Sequence, residues 1–171
     1  MIANSITPII IDTATSYLSI TINNDKNCGI TNLGILKCWG YNYYGQLGDG
    51  STLDKYSPNA IDTGTQYLSI TSSTYHTCGI TTSGDLKCWG YNYYGQIGDG
   101  TTIDKLSPTI IDSGTLYSRV SANSNITCGI TNLGVLKCWG YNYYGQLGDG
   151  TTIDKLSPLS LIHISEPTRR R

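Results

Sequence analysis

Apolar and polar residues alternate along several short segments of the chain, most clearly from Tyr67 to Ser72. An alternation with a period of two residues is typical of a half-buried β-strand. Two more such segments, Thr77 to Thr81 and Asp85 to Trp89, flank the short polar stretch Thr82-Ser83-Gly84. This arrangement predicts a hairpin with a three-residue loop, in which the glycine takes a positive φ.

The same pattern returns every 50 residues along the chain. Its most constant part is Cys38 to Gly50, which recurs as Cys88 to Gly100 and as Cys138 to Gly150. A fourth strand is predicted over Thr109 to Asp112, after Pro108 sets an extended backbone. Four short strands per period, with no helical periodicity, predict an all-β chain built from β-propeller blades. A parallel β-helix is the alternative, but its repeats are usually shorter and have less need of hairpins.

The repeat carries the motif Cys-Trp-Gly-x-Asn-x-x-Gly-Gln-Leu-Gly-Asp-Gly-Thr-Thr, preceded in the middle copy by His76 to Thr81 and Gly84. This motif resembles the repeat of the regulator of chromosome condensation family, especially its bacterial members with two cysteines per repeat. The resemblance covers residues 1–158. It implies a propeller whose complete members usually have seven blades. Because only about three four-stranded blades are present, we expect a partial β-propeller and a fragment of a longer protein.

Repeat units are in phase near residues 1–50, 51–100 and 101–150, and a fourth unit starts at residues 151–158. Residues 159–171 break the repeat abruptly and look like the translation of a transposase-type sequencing adapter. We therefore expect a non-native tail there and exclude its arginines from the charge argument. Met1 aligns with the interior of a unit, which predicts that the natural amino terminus lies further upstream.

The formal net charge is −1, and the charges are well mixed along the chain. A nucleic-acid-binding surface needs clustered lysines and arginines to neutralise phosphates, so none is predicted. No segment approaches the length of a transmembrane helix. No signal peptide is visible between Met1 and Ile20. We expect no cofactor.

The six cysteines form pairs at a constant separation: Cys28 and Cys38, Cys78 and Cys88, Cys128 and Cys138. A three-residue loop centred on residue 33, 83 or 133 places the two members of each pair on opposite strands, directly facing each other. Facing Cβ atoms lie about 4.5 to 5.5 Å apart, so one disulfide per repeat is predicted. Disulfides would place the protein outside the reducing cytosol. Free buried thiols remain the alternative, whereas zinc binding and redox catalysis lack the Cys-x-x-Cys spacing.

Several polar and aromatic positions recur in each copy. Asp49 and Asp54 could form a calcium site, but the ligand alternation of a calcium loop is missing, and a tight Asp-Gly turn is favoured. Gln46 is expected to satisfy backbone groups at a turn. The tryptophans are predicted to pack blade against blade: Trp39, Trp89 and Trp139. The tyrosines either pack or form a contact surface, and the sequence leaves both open: Tyr41, Tyr43, Tyr44 and their copies.

The copies differ most just before the first cysteine of each pair. A rigid frame that carries one variable loop is typical of a binding surface. The candidate partner-binding residues are Asp25, Lys26, Tyr75, His76, Asn125 and Ile126. Unconstrained drift in a solvated loop is the alternative, and one sequence does not separate the two.

The function predicted from these features is a non-catalytic protein-interaction scaffold of a secreted or surface-attached bacterial protein. Its partner is expected to be a protein, with a glycan as the alternative ligand. The repeats hold one histidine and no nucleophile-base arrangement, so no enzyme is predicted. Two other functions stay open. One is a regulator of a small GTPase, since the family's eukaryotic namesake is a guanine nucleotide exchange factor, and the other is a secreted enzyme inhibitor, by analogy at the level of fold.

Overall fold

The structure is a computed structural model that describes residues 8–160. In that range the chain forms eleven strands and no helix. The strands are β1 (Tyr17–Ile22), β2 (Lys26–Thr31), β3 (Leu36–Gly40), β4 (Lys55–Ile61), β5 (Tyr67–Ser72), β6 (His76–Thr81), β7 (Asp85–Gly90), β8 (Lys105–Asn123), β9 (Ile126–Thr131), β10 (Leu136–Gly140) and β11 (Lys155–Ser160). The all-β prediction is confirmed.

The strands form three antiparallel four-stranded blades. Blade 1 consists of β1 to β4 in that order. Blade 2 consists of β5, β6, β7 and the first part of β8, and blade 3 consists of the last part of β8 with β9, β10 and β11. Because β8 runs on from the outer strand of blade 2 to the first strand of blade 3, these two blades share one continuous sheet. The first strands of the three blades lie beside one another. This arrangement is a partial propeller.

Each central hairpin has the predicted three-residue loop. Gly34, Gly84 and Gly134 take φ values of +78°, +91° and +81°, which only glycine adopts at little cost. The Gly84 N–H donates to the carbonyl of Thr81 (2.9 Å). The Thr81 hydroxyl oxygen also accepts the Asp85 N–H (3.1 Å) and so closes the turn. These turns fix the register that opposes the cysteines.

The fourth strand differs from the prediction, because it begins at Lys105 and includes Pro108. Pro58 and Pro158 occupy the same place in β4 and β11. Proline lacks the N–H that a central strand needs, but an outer strand can turn that side to solvent. The prolines therefore mark the outer edge of each blade, where they also hinder pairing with another chain.

Consecutive blades pack through their cores. The core of blade 1 is closed by Tyr67 and Trp89 of blade 2, and the core of blade 2 by Tyr117 and Trp139 of blade 3. We call these contacts the first junction and the second junction. Trp89 and Trp139 are fully buried, as predicted for blade-to-blade packing, whereas Trp39 of blade 1 is partly exposed.

A glycine lies under each junction tryptophan. Gly48 has φ +83°, and a Cβ there would come within 2.5 Å of Trp89 Nε1. Gly98 has the same relation to Trp139, while a Cβ on Gly148 would meet no atom of residues 8–160 within 4 Å. The constant glycine of the motif therefore leaves room for the tryptophan of the following blade.

The blades span residues 17–61, 67–111 and 117–160 and keep the 50-residue period with a different phase from the units defined on the sequence. Residues 151–158 belong to blade 3, because β11 pairs with β10. Of the expected non-native tail, residues 159 and 160 lie in β11, and residues 161–171 lie outside the described residues. Residues 8–160 contain no helix that is long and apolar enough to cross a membrane.

Candidate functional site

The tyrosine-rich loops and the variable turns lie at the same end of the blades. The Tyr41 N–H donates to the carbonyl of Asp25 (2.9 Å), and the Tyr91 N–H donates to that of Tyr75 (3.0 Å). The Tyr141 N–H donates to the carbonyl of Asn125 in the same way (3.0 Å). Each loop is therefore pinned to the turn of its own blade. The opposite end carries the central hairpin turns.

One asparagine organises each tyrosine loop. Asn42 is fully buried, and its side-chain amide donates to Asp49 Oδ1 (3.1 Å) and to the carbonyls of Ser51 and Leu53 (3.0 and 3.1 Å). Its Oδ1 accepts the Leu47 N–H (2.9 Å). Asn92 and Asn142 repeat this network. The asparagine thus folds the loop from beneath and leaves the flanking tyrosines at the surface.

The carboxylate of Asp49 is occupied within its own loop. It accepts the Ser51 N–H (3.0 Å) and hydroxyl (2.8 Å) and forms an ion pair with Lys55 (2.9 Å). Burial alone would raise the pKa of Asp49, but the contacts with Lys55 and Ser51 outweigh it, so the pKa is lowered. This is the turn favoured by the sequence. Within residues 8–160, no three His, Cys, Asp or Glu side chains gather into a metal-binding group.

The tyrosines form one connected surface across all three blades, which we call the tyrosine face. The rings of Tyr41 and Tyr43 are nearly parallel, with centroids 6.4 Å apart. The ring of Tyr44 reaches Tyr91 of the next blade at 4.8 Å. Tyr94 reaches Tyr141 at the same distance. The tyrosine face comprises Tyr41, Tyr43, Tyr44, Tyr75, Tyr91, Tyr93, Tyr94, Tyr141, Tyr143 and Tyr144.

Members of the tyrosine face divide between packing and exposure. Tyr44 and Tyr91 pack across the first junction, whereas Tyr43, Tyr93 and Tyr143 are 64 to 65% exposed. Tyr41 is exposed, but partial desolvation by its neighbours raises its pKa, and the nearby Tyr44 and Asp54 raise it further. Packing between blades therefore describes some tyrosines of each loop, and an exposed contact surface describes others.

The first junction also contains an open cleft of about 570 Å³, which we call the junction cleft. Its lining comes from the turn and tyrosine loop of blade 1 and the turn of blade 2: Asn24, Asp25, Tyr41, Tyr44, Thr74 and Tyr75. Two predicted contact residues, Asp25 and Tyr75, are both exposed and meet here. Sequence reasoning missed Asn24 and Thr74, although both precede variable candidates directly.

Lys26 and His76 are corrections to the predicted contact set, since both point into the protein. Lys26 is 1% exposed, and His76 is fully buried. They begin β2 and β6 and lie two residues before Cys28 and Cys78, so the alternation of a strand puts them on the cysteine face. The two-residue spacing to the cysteines is visible in the sequence and could have identified both side chains as inward-facing. Both side chains contact the following blade.

The ammonium group of Lys26 crosses the first junction and donates to the carbonyls of Ser73 and His76, the latter at 3.4 Å. Burial lowers the pKa of Lys26 to about 7. Asn23 strengthens the same junction by donating its side-chain amide to Ser72 Oγ (2.9 Å) and to the Ser73 carbonyl (2.7 Å).

His76 plays the corresponding part in the second junction. Its Nε2 lies 2.8 Å from Thr127 Oγ1, and its Nδ1 lies 2.7 Å from Ser73 Oγ. The Thr127 hydroxyl donates to the carbonyl of Gln96 (2.7 Å), so it can only accept from His76. Nε2 of the imidazole therefore carries a proton. Burial, and then the charge of Lys26, lower the pKa of His76 to about 3.

Asn125 and Ile126 are partly exposed. Asn125 Oδ1 accepts the side-chain amide of Gln96 (3.1 Å), whereas the corresponding Gln46 Nε2 is buried without a partner among the described residues. The difference arises because Tyr75 occupies the position of Asn125. Ile126 begins β9, as Lys26 and His76 begin their strands.

The three cysteine pairs lie opposite each other in the central hairpins and are bonded in the structure. The Cα atoms of each pair are 4.1 Å apart. The pairs in blades 1 and 2 are fully buried. Cys128 of blade 3 is partly exposed, and no free cysteine remains.

Residues 34–80, together with residues 68–96 and 113–146, match the regulator of chromosome condensation (RCC1) repeat. These matches cover more than half of the chain. No curated protein matches it by sequence.

Solved structures share the fold at low sequence identity. Yeast RCC1 (Prp20), solved bound to Kap60, superposes with a TM-score of 0.76 at 19% identity over 88% of this chain and 38% of that one. Prp20p from Saccharomyces cerevisiae, whose study covers binding to Gsp1p and histones, superposes with a TM-score of 0.75 at 20% identity. The match covers 88% of this chain and 39% of that one. The ectodomain of the Arabidopsis thaliana receptor kinase ACR4 superposes with a TM-score of 0.52 at 22% identity, over 75% of this chain and 42% of that one. The chain thus spans about two fifths of these proteins.

Proposed function

Because the chain belongs to the regulator of chromosome condensation (RCC1) repeat family, we propose that it is a non-catalytic protein-binding propeller whose contact surface is the tyrosine face. The observation that carries this proposal is the continuity of that face. Ten tyrosines from three blades form an unbroken chain of ring contacts. The scaffold beneath them is fixed by buried asparagines.

The chemistry of tyrosine suits this role. The side chain offers a large apolar ring and one hydroxyl while it gives up little conformational freedom, so it is enriched in protein-binding surfaces. Tyr43, Tyr93 and Tyr143 each leave about two thirds of the side chain free. A repeated exposed aromatic of this kind favours a binding function over a purely structural one.

The relatives support a protein as the partner. Yeast RCC1 (Prp20) was solved bound to Kap60, and Prp20p was studied for binding to Gsp1p and histones. A glycan is the alternative ligand, since sugars also stack on aromatic rings. We assign the proposal to proteins because the tyrosine face runs over three blades and offers the broad surface that protein interfaces use.

The cysteine pairs support an extracellular or cell-surface location. Three disulfides in a chain of this size are typical of an oxidising compartment. The match to the ACR4 ectodomain is consistent with this location at the level of fold. The two-cysteine repeat resembles bacterial members, so we propose a secreted or surface-attached bacterial protein.

A photocrosslinking experiment tests the function. A photoreactive amino acid at Tyr93 should trap a protein partner from material of the source organism. The variant with Tyr43, Tyr93 and Tyr143 all changed to serine should lose that partner in a binding assay. A matched control changes Leu33 and Leu133 to serine, the residue that the middle copy carries as Ser83 at the opposite end.

The control variant should bind the partner as the wild type does. Equal binding by the tyrosine variant would overturn the proposed contact surface. If the partner is a GTPase and the chain accelerates its nucleotide release, the non-catalytic part of the proposal is wrong.

A further inference from the structure

We propose that the junction cleft binds the guanidinium group of an arginine side chain presented by the partner protein. This inference rests on the proposed function, because it names the chemistry of the partner at one point of the tyrosine face. It follows from three features of the cleft: its aromatic walls, its single carboxylate, which forms no ion pair within residues 8–160, and the absence of that carboxylate from the second junction.

The walls of the junction cleft are tyrosine rings in different orientations. The rings of Tyr44 and Tyr75 meet at 83° with centroids 6.0 Å apart, and Tyr41 completes the lining. Tyr91 packs behind Tyr44 and Tyr75, with centroids 4.8 and 5.8 Å away, and fixes both rings. Ring faces attract organic cations through their quadrupole, most strongly where rings from several directions surround the charge.

The carboxylate of Asp25 supplies the opposite charge. Six ion pairs occur within residues 8–160, and none of them includes Asp25. The lysine next to it in sequence, Lys26, turns inward and donates to the Ser73 carbonyl across the junction. Asp25 is therefore an exposed anion beside the rings that forms no ion pair within residues 8–160. Its charge raises the pKa of Lys26, but the two charged groups lie beyond ion-pair distance.

A guanidinium group matches this lining better than an ammonium group does. It is flat and can stack on a tyrosine ring while it donates in its plane to a carboxylate with two parallel hydrogen bonds. Asn24 and Thr74 add side-chain oxygens at the rim of the cleft. A lysine ammonium is more strongly hydrated and has no flat face, so it would lose more hydration for fewer contacts.

The second junction provides an internal comparison. The positions that correspond to the cleft lining hold Thr74, Tyr75, Tyr91, Tyr94, Ser124 and Asn125. This set keeps three tyrosines and lacks the carboxylate, because Tyr75 stands where blade 1 has Asp25. Three tyrosines thus stand at these positions in both junctions, and the carboxylate stands in one. We expect guanidinium binding at the first junction only.

The test uses the full chain and short glycine-serine peptides that differ at one central residue. The arginine peptide should bind, and its affinity should fall as salt is added. The peptide with citrulline, the uncharged isostere of arginine, should bind about tenfold more weakly or not at all, given the size of a cation–π contact reinforced by a carboxylate. The lysine peptide should bind less tightly than the arginine peptide. Equal binding of all three would overturn the proposal.

Two variants locate the site. Asp25→Asn and Tyr75→Asn each introduce the residue that the third copy carries as Asn125, so both fit the fold of the turn. Each should weaken arginine-peptide binding about fivefold or more. The control, Asp85→Asn, removes a carboxylate from the hairpin turn at the opposite end and should change nothing. Within residues 8–160 the Asp25 carboxylate accepts no hydrogen bond, and the bonds of Asp25 in this turn come from its main-chain groups, so Asp25→Asn leaves them in place.

The outcomes separate this inference from the proposed function. Loss of the natural partner in the tyrosine variant, without arginine-peptide binding, would overturn the arginine site and leave the tyrosine face in place. Arginine-peptide binding unchanged by Asp25→Asn would also overturn the site. Binding of an uncharged oligosaccharide such as chitotetraose at the cleft, with no preference for the arginine peptide, would assign the cleft to glycans.

Discussion

The first and second junctions share one set of contacts and differ in another. In both, a buried tryptophan donates its indole N–H to a glutamine carbonyl of the preceding blade, Trp89 to Gln46 (3.1 Å) and Trp139 to Gln96 (3.0 Å). The two differ at the position two residues before the first cysteine. A buried lysine spans the first junction and a buried neutral histidine the second.

This difference shows how the repeat tolerates change. The tryptophan contact holds neighbouring blades at a fixed distance, so it recurs without variation. At the start of β2 and β6, by contrast, different side chains can fill the inward position if each finds a hydrogen-bond partner in the next blade. Lys26 finds a main-chain carbonyl and His76 a threonine hydroxyl. Variation in that turn therefore combines two causes, an inward residue that adjusts the junction and an outward residue that adjusts the surface.

The largest loss of stability is expected when the tryptophan contact that both junctions share is removed. Trp89→Ala and Trp139→Ala should each lower the free energy of unfolding by about 3 to 5 kcal/mol, because each removes a fully buried aromatic and opens a cavity. Trp39→Ala should cost much less, since Trp39 is partly exposed. Denaturant unfolding followed by far-UV circular dichroism measures all three. A loss at Trp39 as large as at Trp89 would contradict this account of the junctions.

The next effect concerns the cysteine pairs, which lie in every blade at the same place. Replacing both Cys78 and Cys88 by alanine should cost about 3 kcal/mol in the chain-entropy account of a short closed loop. The same change at Cys28 and Cys38 should cost the same, because both pairs are fully buried. Under mild reductant, Cys128 should become alkylated first, since it is partly exposed. Six alkylated thiols without reductant would show that the disulfides are absent.

Local features of the fold could be predicted from the sequence. The hairpin at Gly84 follows from alternation on both sides of a short polar stretch, and the facing cysteines follow from the loop length. The extent of the fourth strand could not be predicted, because Pro108 is acceptable only at an outer edge. Which strand lies at the edge depends on the order of strands in the sheet, and that order is set by contacts distant in sequence.

The candidate site was predictable in part. Asp25 and Tyr75 are candidates because the copies differ there, but variation alone does not separate outward from inward residues. Counting back two residues from Cys28 and Cys78 would have assigned Lys26 and His76 to the interior. The junction cleft could not be predicted in this way, because its walls come from two blades and meet only after the blades pack.

The third effect uses pH to separate the two junctions. The pKa of Lys26 falls from 10.5 to about 7, so between these values the unfolded chain holds the proton and the folded chain does not. Stability should therefore rise with pH across that window, by up to about 1.4 kcal/mol per pH unit. Lys26→Met should remove this rise. A series of urea unfolding curves from pH 7 to pH 10 measures it.

His76 makes stability depend on pH in the acid range, as Lys26 does between pH 7 and pH 10. Its pKa falls from 6.5 to about 3, so the unfolded chain takes up a proton that the folded chain refuses as pH drops through this range. Stability should fall with decreasing pH, and His76→Gln should remove part of that fall. Aspartates contribute in the same direction, so the wild type is compared with the variant at each pH. Identical slopes would contradict the buried neutral imidazole.

The smallest effect isolates one hydrogen bond between otherwise equal glutamines. Gln46 Oε1 accepts the Tyr44 N–H (2.8 Å), and Gln96 Oε1 accepts the Tyr94 N–H (3.0 Å). Within residues 8–160, Gln96 also donates from Nε2, to Asn125 (3.1 Å), whereas Gln46 Nε2 has no such partner. Leucine at either position removes the shared bond, so Gln96→Leu should cost about 1 kcal/mol more than Gln46→Leu.

A double-mutant cycle with Asn125→Ala sharpens this last comparison, since the extra cost at Gln96 should disappear when its partner is absent. The unpaired Nε2 of Gln46 is a cost that the first junction already bears because Tyr75 replaces the asparagine. If the two leucine variants lose equal stability, the Gln96–Asn125 bond contributes nothing. The difference between Tyr75 in the middle copy and Asn125 in the third copy would then have no effect on the stability of the junction. It would change only the exposed surface.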